Sequence, residues 1–464
     1  MNLNRKATTL GAIAMGCLGA LSLDASATAA DQSYVLQAGG RWSDAQTRAV
    51  RAAGGTVTFS HGDTGIGVAT SANPNFLRDA QASKAFATVT ADRMVQWQKP
   101  VQNVEFDQDV VDPNPPTDTF FKYIQWAPQS VSAPAAWDAG CTGSGVRVAV
   151  LDGGIHNSHV DLAGRVDTAA SASFVPGFNY NQDTGTFWHG THVAGIVAAS
   201  ANGIGTVGIA PEATIVGVKV LHNGSGDFGW VIQGILYAAT PLAAGGGGAD
   251  IINMSLGADF RRNDEGAGQL IAALNKAVNY ADRHGVLVVS AAGNDAYDLD
   301  HTGNLVTVPA QSGSGIAVSA TGPVGFAYGE TNFSRPSSYT NYGTSAINVA
   351  APGGDFAYPT NELCTLSRTT SGTVTTACWV FDMVLSTSRG PGASVASYSW
   401  AAGTSMAAPA ASAVAAIIKQ ANPGISLGAL KTRLAQSADD QGKPGRDPFY
   451  GAGYVNAYKA CTMK

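Results

Sequence analysis

Short aliphatic runs alternate with longer amphipathic segments along most of the chain beyond residue 117. The runs predict β-strands at 146–151, 214–220, 250–254, 286–290 and 316–319. The segments between them predict helices at 189–199, 228–239, 266–284 and 404–420. Strands that are apolar throughout are typical of a parallel sheet whose two faces are both covered. The pattern therefore predicts an α/β fold, a mostly parallel sheet with helices on both faces.

The segment 31–108 follows a different pattern. It predicts strands at 33–37, 55–59, 65–69 and 87–90, with helices at 43–53 and 74–83. The order β-α-β-β-α-β predicts a small α+β domain of the ferredoxin-like type. Residues 109–116 are rich in Asp and Pro and predict a linker, which leaves 117–464 as a second, larger domain.

The first 29 residues are typical of an export signal. Arg5 and Lys6 precede an apolar run at 10–23, and the small residues of 25–30 offer cleavage sites. The run is shorter than the roughly 20 residues of a membrane-spanning helix. Lipid attachment at Cys17 is an alternative, although Ala14 stands where a large aliphatic residue would be expected. We predict a secreted protein, extracellular or periplasmic, without a membrane anchor.

The composition excludes some classes of protein. Of 464 residues 13% are charged and 56 are glycine, and the net charge is -6. A glycine-rich chain of low charge without a basic stripe favours a well-packed enzyme over a disordered or nucleic-acid-binding protein.

Four cysteines remain after removal of the signal, and an even number in an exported chain predicts two disulfides. Three pairings are possible. Cys364 and Cys378 flank a Ser/Thr/Gly-rich loop and would close a short ring, so our hypothesis pairs Cys141 with Cys461.

Three short motifs carry the candidate chemistry: VAVLDGGI at 148–155, HGTHVAG at 189–195 and GTSMAAP at 403–409. They supply an acid, Asp152, a base, His189, and a nucleophile, Ser405. A serine hydroxyl is a poor nucleophile unless a base lies within hydrogen-bond reach and an acceptor orients that base. The carboxyl ends of strands in an open α/β sheet are where such groups collect.

Two further features refine this interpretation. His189 and His192 are three residues apart with no Glu beside the first, which argues against the HExxH zinc motif. Asn294 ends the strand-like run VVSAAGN and could donate to a developing oxyanion.

The order Asp152, His189, Ser405 and the three motifs resemble the subtilases, the subtilisin-like serine endopeptidases. The stretch ending in Gln125-Trp126 and the closing YGAGYVNA pattern at 450–457 are similar to the family as well. The resemblance covers most of 117–464. It implies hydrolysis of peptide bonds in peptide and protein substrates through an acyl-enzyme. Asn294 and the backbone N–H of Ser405 would then form the oxyanion hole.

The resemblance also implies that 31–108 is a propeptide, an inhibitor and folding assistant of its own enzyme that is later cleaved away. An independent accessory domain is the alternative. We expect a monomer. The rival function is a catalytically silent homologue that binds peptides or adheres to a partner.

Substrate-binding positions follow from the same resemblance. Two glycine-containing segments would clamp an extended peptide, Gly224, Ser225 and Gly226 in the first and Ser255, Leu256 and Gly257 in the second. Phe228 would shape a distal subsite, and Asp295 would lie at the rim of the primary pocket. Asp295, Asp298 and Asp300 together either favour a basic residue before the scissile bond or form a solvated acidic loop.

A structural calcium site is the one cofactor that the resemblance implies, and no redox cofactor is expected. Its oxygen ligands would come from Asp161, Ser200, Asn202, Ile204 and Thr206. A glycine turn without metal is the alternative. Gly153, Ala410 and Ala413 depart from the residues usual in the family, and none of them removes a catalytic atom.

Overall fold

The structure is a computed structural model that describes residues 31–98, 120–182, 188–368, 372–389 and 397–463, together with the backbone of 103–105. The predicted signal at 1–29 and linker at 109–116 lie outside the described residues. The strands are β1 Gln32–Gln37, β2 Thr56–His61, β3 Ile66–Ser71, β4 Thr88–Ala91, β5 Met94–Gln96, β6 Asn103–Glu105, β7 Arg147–Asp152, β8 Ala172–Ser173, β9 Thr214–Lys219, β10 Ser225–Asp227, β11 Ile251–Met254, β12 Ala258–Arg261, β13 Leu287–Ala291, β14 Leu305–Val308, β15 Ile316–Thr321, β16 Val349–Pro352, β17 Leu363–Ser367, β18 Thr373–Ala377, β19 Val384–Ser388 and β20 Ser397–Ala401.

The α-helices are α1 Asp44–Ala52, α2 Phe76–Ala82, α3 Ala127–Ser130, α4 Ala133–Asp138, α5 His189–Ala198, α6 Phe228–Ala239, α7 Ala267–Arg283, α8 Thr404–Ala421, α9 Leu427–Ser437 and α10 Ala457–Thr462. Short 3-10 helices lie at Phe120–Lys122, Leu242–Ala244, Phe326–Tyr328 and Cys378–Asp382.

A seven-stranded sheet forms the centre of the large unit, with the order β16-β15-β13-β11-β7-β9-β8. Every pairing within it is parallel. One apolar cluster, which includes side chains of α5 and α8, covers one face of the sheet. A second cluster covers the other face with side chains of α6 and α7. The α/β fold with helices on both faces is therefore confirmed.

The sheet determines where the candidate chemistry lies. Asp152 is the last residue of β7, a strand buried on both faces after its first residue. His189 begins α5 and Ser405 is the second residue of α8. These two helices pack against each other on one face of the sheet. Their N-termini thus come close to the carboxyl end of β7.

The N-terminal unit has the predicted order of elements, β1-α1-β2-β3-α2-β4. Its antiparallel sheet has the order β2-β3-β1-β4. One face packs on α1 and α2 around Tyr34 and Phe76, whose rings are 4.6 Å apart. Val35 and Ile66 point to the other face and join the cluster of α6 and α7. The N-terminal unit therefore docks on one helical layer of the large unit.

The last described part of the predicted N-terminal domain pairs with the large unit. The compact sheet of the N-terminal unit ends with β4. Beyond it, β5 pairs with β10, and β6 pairs with β20 in a three-stranded sheet with β19. Extended segments can add to an exposed strand edge of another unit, and sequence periodicity does not report such additions.

Two disulfides link the four described cysteines in the predicted pairing. Cys141 is bonded to Cys461, and Cys364 to Cys378. The first joins the region after α4 to α10 and the second braces the β17–β18 hairpin. Among the described residues, no helix has both the length and the apolar character needed to cross a membrane.

Candidate active site

Asp152 and His189 form a buried hydrogen-bonded pair. The Nδ1 atom of His189 lies 2.8 Å from Oδ2 of Asp152, and the two residues are 5% and 1% exposed. The backbone N–H of Gly153 donates to Oδ1 of Asp152 at 2.6 Å, which orients the carboxylate. A carboxylate on Nδ1 keeps the proton of a neutral imidazole on that atom, so Nε2 is the basic nitrogen.

A glycine lets strand β7 and helix α5, which carry this pair, approach each other closely. Gly190 follows His189 on the first turn of α5. A Cβ atom added to it would lie 2.3 Å from the carbonyl oxygen of Gly154 and 3.0 Å from Cβ of Asp152. Any larger residue would push β7 and α5 apart and would lengthen the Asp152–His189 bond.

Ser405 contacts Ser255 through both its hydroxyl and its carbonyl oxygen. Its Oγ lies 3.3 Å from the carbonyl oxygen of Ser255, and its own carbonyl oxygen accepts from the Ser255 hydroxyl at 2.7 Å. Asn253 donates to the Ser255 hydroxyl at 3.0 Å, and all three residues are buried. Ser255, predicted as a substrate contact, thus contacts Ser405. The N–H of Ser405 lies in the first turn of α8, where the helix supplies no acceptor.

Asn294 lines the same pocket as Ser405, and Thr404 fixes its orientation. Its Oδ1 accepts from both the backbone N–H and the hydroxyl of Thr404, each at 2.8 Å. The Thr404 hydroxyl in turn accepts from the N–H of Gly293 at 3.0 Å. Because the oxygen of the carboxamide is held in this way, its Nδ2 end is the end that can donate to a substrate oxygen.

A segment of the chain's own N-terminal part lies in the cleft beside these residues. Strand β5 runs antiparallel to β10, with Gln96 opposite Ser225. Beyond β5, the carbonyl oxygen of Gly224 accepts from the N–H groups of Trp97 and Gln98 at 2.9 and 3.0 Å. On the other side of the segment, the N–H of Gly257 donates to the carbonyl oxygen of Trp97 at 2.8 Å. Main-chain bonds on both sides are how proteins bind extended peptides.

The side chains of this segment contact the predicted substrate positions. The indole N–H of Trp97 donates to the carbonyl oxygen of Gly226 at 2.8 Å, and its ring meets Phe228 edge-on at 4.8 Å. Leu256 belongs to the same apolar cluster as Trp97. Gln98 reaches the buried pair, with its Nε2 2.9 Å from Oδ1 of Asp152 and 2.8 Å from Nδ1 of His189.

A sequence profile described as "Subtilase family" matches residues 143–453. Subtilisin Savinase from Lederbergia lenta is 36% identical over 73% of this chain and 98% of its own. Thermitase from Thermoactinomyces vulgaris is 34% identical over 74% of this chain and 98% of its own. The chain belongs to the subtilase family. It is a serine endopeptidase of the subtilisin type.

Solved structures share the fold of this subtilase. The epidermin leader peptide processing serine protease of Staphylococcus aureus aligns with a TM-score of 0.71 at 21% identity, covering 93% of this chain and 98% of that one. Fervidolysin from Fervidobacterium pennivorans, a keratinolytic enzyme related to subtilisin, aligns with a TM-score of 0.67 at 21% identity. That match covers 94% of this chain and 61% of fervidolysin. Both matches are long enough to include most of the N-terminal unit.

The three aspartates of the acidic loop 295–300 have different contacts. Asp295 lines the pocket beside Ser405. Asp298 lies 2.8 Å from Nδ1 of His301, and Asp300 accepts from the backbone N–H of Ser345 at 2.9 Å. Of the three aspartates, Asp295 is the one in the lining of this pocket.

The loop predicted to bind calcium brings its residues together around a buried carboxylate. Asp161 accepts from the N–H of Thr206 at 2.9 Å and from the side-chain amide of Asn202 at 3.3 Å. The carbonyl oxygen of Ser200 accepts from the N–H of Asn202, and the N–H of Ile204 donates to Oδ1 of Asn202. Burial raises the pKa of Asp161 to about 7. The oxygen-rich loop suits a hard cation in composition, and an ion would replace protein donors on the carboxylate.

His192 is a structural residue of α5. Its Nε2 lies 3.0 Å from the carbonyl oxygen of Ser399, and burial lowers its pKa to about 3. Among the described residues, no group of three or more His, Cys, Asp or Glu side chains could hold a metal ion.

Three residues at the site did not follow from the sequence: Thr404, Gln98 and Asp259. Thr404 stands beside Ser405 in the serine motif, so its position was visible although its bond to Asn294 was not. Gln98 is distant in sequence from every motif, and Asp259 pairs across strands with Thr307. No local pattern marks either of them.

Proposed function

We propose that this subtilase cleaves peptide bonds through an acyl-enzyme, with Asp152, His189 and Ser405 as its triad and with Asn294 in the oxyanion hole. The observation that carries the proposal is the extended segment 94–98. It is bound by main-chain hydrogen bonds to Gly224 and Gly257 beside the Asp152–His189 pair. A substrate bound in the same way would present its carbonyl carbon near Ser405.

The first half of the reaction forms the acyl-enzyme. Ser405 Oγ attacks the scissile carbonyl carbon while His189 Nε2 takes the hydroxyl proton, and Asp152 stabilises the imidazolium. The carbonyl oxygen becomes negative and accepts from Asn294 Nδ2 and from the N–H of Ser405. When the intermediate collapses, the C–N bond breaks and His189 gives its proton to the leaving amine.

The second half releases the acid product. A water molecule gives a proton to His189 and attacks the ester carbonyl, and the same two donors stabilise the second oxyanion. The bond to Ser405 Oγ then breaks, Oγ recovers a proton from His189, and the carboxylic acid leaves. The protein supplies positioning and fixed dipoles in both halves.

Expression of the full chain beside its Ser405→Ala variant tests this function. We expect the wild type to shorten itself, to react with a fluorophosphonate probe and to cleave a folded protein substrate. The variant should remain a full-length precursor that does none of these. Equal processing of both chains, with no reaction of the probe, would instead favour a catalytically silent peptide-binding homologue.

The N-terminal unit is proposed to be the autoinhibitory propeptide of a secreted enzyme, exported by the signal at 1–29 and active as a monomer. Its segment 94–98 fills the cleft that a substrate would use. The Gln98 carboxamide would also disturb the base. Its N–H donates to Oδ1 of Asp152 at 2.9 Å, so the carboxylate that would stabilise the imidazolium is shared with this amide.

Calcium binding by the loop of Asp161 is proposed as a structural contribution. We expect millimolar calcium to raise the melting temperature of the mature wild type and to slow its self-digestion. The Asp161→Asn variant, which loses the only carboxylate of the ligand set, should melt at the same temperature with calcium or with a chelator. A wild type that is also indifferent to calcium would leave the glycine turn as the correct interpretation.

A further inference from the structure

The first turn of α8 contains a backbone carbonyl that lacks its regular partner within the helix. In an α-helix the carbonyl oxygen of one residue accepts from the N–H of the residue four positions later. The residue four positions after Ser405 is Pro409, which lies inside α8 and has no N–H to donate. A buried backbone acceptor without a partner is costly, so the carbonyl of the proposed nucleophile needs a donor from outside the helix.

The Ser255 hydroxyl is that donor, with its Oγ 2.7 Å from the carbonyl oxygen of Ser405. A carbonyl oxygen can only accept, so the one proton of this hydroxyl is committed to Ser405. The lone pairs of Ser255 Oγ are left to accept, and Nδ2 of Asn253 donates to them at 3.0 Å. This arrangement requires the Asn253 amide to point its nitrogen toward Ser255 and its oxygen away from it.

Ser412 completes the series of hydrogen bonds. Its hydroxyl donates to Oδ1 of Asn253 at 2.9 Å, and both side chains are fully buried. The side chain of Asn253 lies on the α8 face of β11, since its neighbour Ile252 belongs to the cluster on the opposite face. Ser412 is seven residues, about two turns, beyond Ser405 on the same face of α8. The series therefore starts and ends on one helix.

Two buried acceptors share two hydroxyl protons in this series. The acceptors are Oδ1 of Asn253 and the carbonyl oxygen of Ser405, and the protons are those of Ser412 and Ser255. Without the Ser412 hydroxyl, both acceptors would compete for the Ser255 proton, because a half-turn of the Asn253 amide exchanges its oxygen and its nitrogen. A Ser255 hydroxyl that turned to Asn253 would release the Ser405 carbonyl, and with it the first turn of α8.

We propose that Ser412 and Asn253 are positioning residues for Ser405, which act through the Ser255 hydroxyl to hold the first turn of α8. The inference rests on the proposed function, because it takes Ser405 as the nucleophile. The same turn carries Ser405 Oγ and the Ser405 N–H, the proposed second donor to the oxyanion. A shift of this turn misplaces both groups relative to the substrate carbonyl, which slows the chemical step more than it weakens substrate binding.

Steady-state kinetics of the self-processed enzyme test the role of Ser412, with the active enzyme counted by titration with a fluorophosphonate. Ser412→Ala should lower kcat by about threefold to tenfold, the factor that the loss of one buried hydrogen bond corresponds to. It should leave KM within about twofold of the wild-type value, because the effect lies in the transition state.

Ser437→Ala is the matched control. Ser437 is also a buried helical serine, and its hydroxyl bonds to the carbonyl oxygen of Leu434 within α9. This substitution should lower the melting temperature about as much as Ser412→Ala does, since each removes one buried hydroxyl. Its kcat should stay within about twofold of the wild-type value, because Ser437 has no bond to the series that ends at Ser405.

A double-mutant cycle tests whether Ser412 acts through Ser255. Ser255→Ala removes the hydroxyl that donates to the Ser405 carbonyl and keeps the backbone carbonyl that lies 3.3 Å from Ser405 Oγ. It should lower kcat at least as much as Ser412→Ala. The double variant should then be slower than Ser255→Ala alone by no more than about twofold. Two effects that multiply would overturn the inference, because Ser412 would then act independently of Ser255.

Failure of this inference can be told from failure of the proposed function. An unchanged kcat in Ser412→Ala, a change confined to KM, or an equal fall of kcat in Ser437→Ala would overturn the inference while the wild type remains an active protease. A wild type that neither reacts with a fluorophosphonate nor cleaves a protein substrate would overturn the proposed function and this inference with it.

Discussion

At the scale of single residues, the proposed oxyanion hole depends on a side chain that holds its donor in place. Thr404 uses its backbone N–H and its hydroxyl to hold the oxygen end of the Asn294 carboxamide. A carboxamide free to rotate would present its oxygen to the oxyanion in part of the molecules, and that oxygen would repel the charge. Thr404 is therefore a positioning residue for the proposed donor.

Replacing Thr404 by Val tests this role, because valine keeps the shape and removes the hydroxyl. We expect kcat to fall by about tenfold to a hundredfold and KM to change by less than about threefold, since the interaction forms only in the transition state. Thr404→Ser, which restores the hydroxyl, should recover most of kcat. A change confined to KM, or a serine variant as slow as the valine variant, would argue for a packing role instead.

The residues of the site differ in how far the sequence could predict them. Asp152, His189 and Ser405 lie in local motifs at the end of a strand or the start of a helix, where the hydrophobic pattern marks the element boundary. Asp259 and Gln98 reach the site only when β12 meets β14 and when β5 meets β10. Pairings between segments so far apart leave no trace in local periodicity.

At the scale of elements, the same limit applies to the short strands that follow β4. The predicted strands and helices of the N-terminal unit have the observed order, since each is encoded by its own alternation of apolar and polar residues. Strands β5 and β6 are three residues each and pair with the large unit. Such short edge additions are stabilised by the partner strand rather than by their own sequence.

Strand β5 and the two residues after it lead to a prediction about inhibition. Replacing Gln98 by Leu removes the amide beside Asp152 and His189 and leaves the main-chain bonds to Gly224 in place. We expect the full-length variant to react with a fluorophosphonate about tenfold faster than the full-length wild type. A hydrogen bond to a charged group contributes about 1.5–3 kcal/mol, which is enough for this factor.

Gln96→Leu is the control for that experiment. The Gln96 side chain accepts from the Ser225 hydroxyl at 2.7 Å and does not reach the Asp152–His189 pair. Its full-length labelling rate should change by less than about threefold. Nitrogen-15 NMR of histidine in the full-length Ser405→Ala chain provides a second measurement, because Gln98→Leu should strengthen the hydrogen bond from His189 Nδ1–H to Asp152 and move the Nδ1 resonance. An unchanged resonance and an unchanged labelling rate would contradict the role of Gln98.

At the scale of the whole molecule, the two units meet through a partly buried carboxylate at the start of α6. Asp92 accepts from the N–H of Gly229 at 3.1 Å and from the Ser33 hydroxyl at 3.1 Å. The N–H of Arg93 donates to it as well, at 2.8 Å. Burial, and secondly the neighbouring carboxylate of Asp227, raise the pKa of Asp92 to about 7. A carboxylate at a helix N-terminus is usually stabilised as the anion, so burial is the larger effect here.

This pKa makes docking of the N-terminal unit depend on pH. An exposed aspartate has a pKa of about 4, and Asp92 would regain that value when the units separate. Between pH 4 and 7 the docked state therefore holds more protons than the separated state. Docking is strongest below this window and weakens as the pH rises through it, with no further contribution from Asp92 above about pH 7.

Binding of a fluorescent peptide to Ser405→Ala chains measures this dependence, because the peptide and the segment 94–98 compete for one cleft. The ratio of the apparent Kd of the full-length chain to that of the mature chain should fall at least about tenfold between pH 5 and 7.5. Taking the ratio cancels the pH dependence of peptide binding itself. The full-length Asp92→Asn variant should show a nearly constant ratio, because an amide docks without a proton. A ratio that rises with pH, or one that falls equally in the Asn variant, would place the pH sensitivity elsewhere in the interface.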